Sequence, residues 1–394
     1  MLTPTLRDGV QWVGAIDWER RLFDELIPLP DGTTYNAYLV RGSEKAALLD
    51  TVDPPFGQQL LDRLDQLGVK RLDYAVAHHA EQDHSGSLPA VLARYPEARV
   101  VCSPKAKNML IDLLGIAEDR FQTVDDGATI ALGGKTLRFI HYPWVHWPET
   151  MLSYLEEERL LFSCDLFGSH LAVGDPLTAD DSAVLPAAKR YFAEIMMPFR
   201  TPIEKNFGKV TGLSIDQILP SHGPIHRHPK TIVDAYRDWV SGPPKNQAVI
   251  AFASMHDSTR RMARYLSEAL IGRGVGVDLF GLAGADLGHL ATALVDAATI
   301  VLGSPIVSAG PHPLVGYAAM LANVLKPKAR YAAVIGSFGW GGKLPEQIAA
   351  LLPNLKLELL EPVVIKGAPK AADLAALDRL AEAIAQKHAA LASA

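Results

Sequence analysis

From residue 248 to residue 388, short β-rich runs alternate with longer helical patterns, and no other feature constrains the fold of this chain as strongly. The runs are 248–252 (AVIAF), 276–280 (GVDLF), 298–302 (ATIVL), 331–336 (YAAVIG) and 357–364. The helical patterns are 258–271, 287–296, 313–325, 344–352 and 370–388. A helix between each pair of strands returns the chain to the same end of the sheet. The strands therefore run parallel and both faces are covered. This predicts a doubly wound α/β domain, whose ligands sit beyond the carboxyl ends of its strands.

Upstream of this region, Ser241-Gly242-Pro243-Pro244-Lys245-Asn246 ends a helical pattern at 229–240 and reads as a linker. A chain of 394 residues is long enough for two or three domains, and this cut gives domains of residues 1–245 and 246–394. The first holds predicted strands at 36–41, 46–50, 73–77, 98–101, 136–140, 151–155, 159–163 and 216–219. Its helical patterns are 56–67, 87–95, 104–115, 184–208 and 229–240. Strands that come in neighbouring pairs, with helices interspersed, predict two packed sheets with helices outside, an αββα sandwich.

A net charge of −6 argues against nucleic acid as a partner. No apolar run approaches ~18 residues, so no membrane span is expected. The amino terminus lacks a basic segment followed by an apolar one, which predicts a cytoplasmic protein without a signal peptide. Cys102 and Cys164 are the only cysteines, too few for a disulfide framework or for an iron–sulfur or rubredoxin site. Histidines number 13, with most of them in the first domain.

The densest cluster of them follows the strand at 73–77, in His78-His79-Ala80-Glu81-Gln82-Asp83-His84-Ser85-Gly86. Extended backbone through this run would put residues 79, 81 and 83 on one side. Glu and Asp are almost never buried unpaired, so this side is not an ordinary core face. His146, Asp165 and His222 lie at or beyond other strand ends, where loops can bring ligands to one point.

The series His79-x-Glu81-x-Asp83-His84, then His146, Asp165 and His222, resembles the metal ligands of the metallo-β-lactamase fold. Zinc hydrolases of that fold usually have a histidine where this chain has Glu81. The glutamate, together with the second domain, makes the chain similar to the flavodiiron proteins (A-type flavoproteins). The resemblance implies two iron ions, with His79, Glu81 and His146 at one, Asp83, His84 and His222 at the other, and Asp165 between them. An additional hard anionic ligand suits a metal that reaches the ferric state, and it offsets the charge that the protein must bury. His170 is a candidate to support a ligand by hydrogen bonding. His78, His141, His226 and His228 read as packing or supporting residues, and Cys164 as packing.

The resemblance also implies FMN in the second domain. Ser254, Met255, His256, Ser258 and Thr259 occupy the loop between the domain's first strand and first helix, where hydroxyls and free backbone N–H groups can bind a phosphate. Asp257 departs from that pattern, and a left-handed turn would point it outward. Pro305, Ile306, Ala309 and Gly310 follow the third strand. Ser337-Phe338-Gly339-Trp340-Gly341-Gly342 follows the fourth and resembles the family's Ser-aromatic-Gly-Trp-Gly-Gly run, with Phe338 and Trp340 placed to stack on the flavin ring.

Family membership implies reduction of dioxygen to water, of nitric oxide to nitrous oxide, or of both. It implies a head-to-tail homodimer, or a dimer of dimers, that sets one subunit's flavin beside the other's iron. Without a Cys-x-x-Cys pair, electrons are expected from a separate donor: a rubredoxin, another flavoprotein or a reduced deazaflavin. The competing readings are a binuclear zinc hydrolase fused to a flavodoxin-like module, against which Glu81 speaks, and a gas sensor or electron carrier with a degenerate site, against which the full ligand set speaks.

Overall fold

The computed structural model describes residues 3–177 and 180–392. The chain divides into two compact units at Val240/Ser241. The helix Pro229–Ser241 and the strand Lys245–Phe252 flank the division, with Gly242, Pro243 and Pro244 between them.

The first unit is built on two sheets. One has the order Thr5–Arg7, Val10–Trp12, Tyr38–Arg41, Ala46–Leu49, Tyr74–Val76, Arg99–Cys102, Phe121–Thr123. Its first four strands pair antiparallel and the rest parallel. The second sheet has the order Thr129–Ala131, Thr136–His141, Met151–Leu155, Leu160–Cys164, Gln217–Pro220. Successive side chains on each strand go to different layers. In the first sheet Val40, Ala47, Leu49 and Val76 share a buried cluster with Leu137, Phe139, Leu160 and Phe162 of the second. Their neighbours Leu39, Leu48 and Ala75 instead pack with Leu60, Leu64, Val91 and Leu110 from the covering helices. This is the αββα sandwich that the strand pattern predicts.

Thr136–His141 is antiparallel to Met151–Leu155, which is antiparallel to Leu160–Cys164, which is parallel to Gln217–Pro220. Strands 136–141, 160–164 and 217–220 therefore point the same way, and the loops that follow them emerge from one edge.

In the second unit a parallel sheet has the order Gly276–Gly281, Lys245–Phe252, Ala297–Val307, Tyr331–Phe338, then an outer strand in two pieces, Glu358–Leu359 and Val363–Lys366. In sequence order this is 2-1-3-4-5, the doubly wound arrangement of flavodoxins. Pro362, which has no N–H for the ladder, lies between the two pieces of the outer strand.

Several local expectations need correction. The helix expected at 184–208 is interrupted: Asp181–Tyr191 is α-helical, Phe192–Met196 widens to a π turn, Met197–Phe199 tightens to a 3-10 turn, and Arg200–Thr211 resumes. Pro198 lies in the 3-10 turn, where a missing N–H breaks the α-helical pattern. The run after 73–77 is not extended through Asp83. The strand ends at Val76, and Gln82–Ser85 forms one helical turn that carries Asp83 and His84. The short strand pairs before residue 36 carry too little alternation to be visible in sequence.

Candidate metal centre and flavin cavity

At the shared strand edge the seven candidate ligands come together in two groups. Ligand atoms of His79, His146 and Asp165 lie within 4.8 Å of one another, as do those of Asp83, His84 and His222. Glu81 completes the first group, its Oε2 lying 3.0 Å from Nε2 of His79 and 3.1 Å from Nε2 of His146. In the second, Oδ2 of Asp83 is 3.1 Å from Nε2 of His222. Asp165 divides its oxygens between the groups. Oδ2 is 3.7 Å from Nε2 of His79, and Oδ1 is 3.1 Å from Nε2 of His84 and 3.5 Å from Nε2 of His222.

The surrounding residues fix these orientations. Nδ1 of His79 is 2.7 Å from Oε1 of Glu149, which also accepts from the N–H of Ala80. Nδ1 of His222 is 2.7 Å from the carbonyl of Thr34. With Nδ1 used in this way, each ring turns Nε2 inward. The loop after His222 is held tightly. Gly223 has φ +79°, its N–H donates to Thr34 Oγ1, and a Cβ there would meet the Ser169 carbonyl at 2.5 Å. The Tyr191 hydroxyl donates to Asp165 Oδ1 at 3.0 Å. Asp50, at φ +55°, accepts from the backbone and Nδ1 of His78, whose Nε2 meets Ser153 Oγ at 2.8 Å.

Burial and charge oppose each other throughout. Burial disfavours the imidazolium of His79, yet Glu149 and Glu81 raise its pKa well above the usual histidine value. Burial likewise opposes charge on His84, but Asp83 and Asp165 push it up to about 10. Burial would raise Asp165, and His84, His79 and His222 hold it well below the usual carboxylate range. Glu81 is held far down by His146 and His79 against the same penalty. The donor set fits a pair of cations. Both oxygens of Asp83 and Nδ1 of His84 are buried and make no hydrogen bond. The Asp83 oxygens meet only the imidazoles of His222 and His84, as ion-pair contacts, and atoms so placed are costly unless something positive or polar satisfies them.

His170 is buried beside this group. Its Nδ1 is 2.9 Å from Thr33 Oγ1, its ring lies 4.9 Å from that of His222, and no hydrogen bond joins it to a candidate ligand. Burial, with His222 nearby, pushes its pKa well down. His78 supports the loop through Asp50. His141 meets the Val124 carbonyl and His226 the Phe167 carbonyl, and neither belongs to the two groups. Cys164 is buried with Sγ 3.9 Å from Asp165 Oδ2. Glu149, Tyr191 and Asp50 escaped the sequence reading. Each is a single residue without a motif, and its partner is far away in the chain.

In the second unit a cavity of about 270 Å³ opens at the carboxyl ends of the strands. Ser254, Met255, His256, Ser258, Thr259, Pro305, Ile306, Ser337, Phe338 and Gly339 line it, together with Gly367 and Ala368, which the sequence reading did not include. Ala309, Gly310, Trp340, Gly341 and Gly342 are not in its wall, and Trp340 is 69% exposed. Thr259 Oγ1 is buried without a partner in this wall, next to the N-terminus of the helix Ser258–Ile271. An orphaned hydroxyl and free helical N–H groups fit an anionic phosphate. Asp257 adopts the left-handed turn with φ +67°, and its exposed carboxylate pairs with Arg260 at 3.3 Å.

Residues 33–223 match a family described as ODP family beta lactamase. The chain is 35% identical to a nitric oxide reductase of Moorella thermoacetica over 393 residues, 98% of each chain. It is 36% identical to a coenzyme F420H(2) oxidase of Methanothermobacter marburgensis over 351 residues, 86% of each. The solved rubredoxin oxygen:oxidoreductase of Desulfovibrio gigas superposes with a TM-score of 0.95 at 30% identity, covering all of both chains. Similarity of this extent, spanning both units, shows that the chain belongs to the flavodiiron proteins, the type A flavoproteins.

Proposed function

We propose that the buried cluster holds two iron ions, that the cavity of the second unit holds FMN, and that the chain is an oxidoreductase reducing dioxygen to water, nitric oxide to nitrous oxide, or both. The division of Asp165 between two histidine groups carries this reading most directly, because a carboxylate so placed is suited to bridge two cations. Glu81, between His79 and His146, gives the first group an anionic oxygen ligand where a zinc hydrolase would have an imidazole. On this reading residues 1–245 form the metal domain and 246–394 the flavin domain.

When bound, the flavin takes in electron pairs and the iron pair supplies electrons to the gas. The protein's own part is positional and electrostatic. His79, Glu81 and His146 would hold one ion, Asp83, His84 and His222 the other. Glu149 and the Thr34 carbonyl keep two of the imidazoles turned inward. Phe23 packs 5.3 Å from the His170 ring and 6.4 Å from that of His222, placing an apolar side against the cluster. Ser254, Ser258 and Thr259 would hold the flavin phosphate, and Phe338 would lie against the ring.

An electron donor is required. One relative is named for rubredoxin and another for coenzyme F420H(2), so a small redox protein and a deazaflavin are the two classes to test. A head-to-tail homodimer, with each flavin facing the partner's metal cluster, completes the reading. No helix among the described residues is long and apolar enough to cross a membrane. Metal and flavin analysis of purified protein, followed by dioxygen and nitric oxide consumption with one artificial reductant, tests the function. Iron, FMN and gas consumption support it, and zinc without consumption refutes it.

A further inference from the structure

The two candidate metal positions have equal charge in their direct ligands and unequal support behind them. Each has one carboxylate of its own, Glu81 or Asp83, and shares Asp165. Behind the first position stands Glu149, whose side chain is fully buried and whose Oε1 meets Nδ1 of His79 at 2.7 Å. Behind the second, His222 meets a neutral carbonyl, and Nδ1 of His84 has no partner. A carboxylate behind a ligating histidine fixes its tautomer and makes its inner nitrogen a stronger donor.

Glu149 is itself anchored at several points. Oε1 also accepts from Ala80 N–H at 3.0 Å, its carbonyl accepts from Ser103 Oγ at 2.8 Å, and its Oε2 is buried without a partner. A carboxylate with an unsatisfied buried oxygen is costly to keep. Ala80 N–H and the imidazole could be satisfied equally well by a glutamine oxygen. The retained negative charge is thus the feature that hydrogen bonding alone does not require.

We propose that Glu149 is a positioning residue that makes the two metal positions inequivalent, so that the ion at His79, Glu81 and His146 is bound more tightly and is the more readily oxidised of the two. This rests on the proposed diiron reading. A negative charge behind His79 favours the higher positive charge on the ion it faces, whereas the dipole behind His222 does so less.

Glu149→Gln tests it by keeping the shape and an acceptor while removing the charge. Metal-free wild-type and variant protein are titrated with ferrous iron against a competing chelator. The midpoint potentials of the metal centre are then measured by an electron paramagnetic resonance redox titration. We expect the variant to lose about tenfold to a hundredfold in affinity at one position and little at the other. The lower of the two iron potentials should rise by about 59 mV for each tenfold by which ferric affinity falls more than ferrous affinity, with the flavin potentials unchanged. Ferrous affinities within twofold of wild type at both positions, or a lower potential that moves by less than about 18 mV, would overturn the proposal.

A second measurement needs no variant. Wild-type crystals chelated until one ion per chain remains should show anomalous scattering at His79, Glu81 and His146. Scattering at Asp83, His84 and His222 would overturn the proposal just as decisively. Failure of the underlying diiron reading looks different, since wild-type protein would then bind no iron pair at all.

Discussion

Oδ1 of Asp165 lies 3.1 Å from Nε2 of His84, while its other oxygen faces His79. His84 is therefore directed into the cluster, beside Asp83 and His222, and not out of it. Replacing it by alanine removes a donor from one position only. His84→Ala is expected to lower iron content at that position and leave flavin content unchanged, as read by elemental analysis and flavin absorbance. Unaltered affinity at both positions would show that His84 does not bind metal.

Glu81 and Asp165 sit in one unit and the flavin cavity in the other. Glu81→Ala and Asp165→Ala should each lose iron and gas consumption but keep FMN. Their far-ultraviolet circular dichroism should match that of the parent. Loss of flavin along with iron would contradict the assignment of the two cofactors to separate domains.

The metal-free cluster makes stability depend on pH. The pKa of His84 is raised to about 10 in the folded protein, against roughly 6.5 for an ordinary histidine. The stabilisation from its ion pairs is thus fully present below about 6.5 and is lost as pH rises through about 10. His79 is shifted in the same direction. Thermal unfolding of metal-free protein should show a falling midpoint between those pH values. Since metal needs neutral imidazole, iron binding should release protons and tighten with rising pH. A flat profile for the metal-free protein would contradict the ion-pair account.

Thr259 Oγ1 is the orphaned hydroxyl in the cavity wall. Thr259→Val keeps the side chain's shape and deletes that group. A hydrogen bond to a charged partner contributes about 1.5–3 kcal/mol, so FMN affinity should fall about tenfold or more by flavin titration of apoprotein. Metal content should not change. Undiminished flavin affinity would move the phosphate away from Thr259.

Gly223 combines φ +79° with a close approach to the Ser169 carbonyl. Gly223→Ala both strains the turn and forces the His222 loop to shift. Expected outcomes are a lower unfolding midpoint and weakened metal binding at the Asp83, His84 and His222 position. Tight binding there would show that the turn does not position His222.

Much of this was legible in sequence, for definable reasons. The ligand series concentrates in one run and at three strand ends, and titratable residues in such places have few structural uses. The doubly wound sheet was readable because its strands are apolar runs separated by amphipathic helices. Glu149 was not readable, because its meaning lies in His79, seventy residues earlier in the chain. Asp83 reads as extended backbone in sequence because local periodicity does not register a single helical turn. Gly367 and Ala368 enter the cavity beyond the second piece of an outer strand that Pro362 interrupts, and no motif marks them.

The most direct test of the whole account is a paired measurement on one purified sample: metal and flavin stoichiometry, and gas consumption with an artificial reductant. The account predicts iron near two per chain, FMN near one, and consumption of dioxygen, nitric oxide or both that is lost in Asp165→Ala. Zinc in place of iron, with neither gas consumed by flavin-loaded protein, would contradict it.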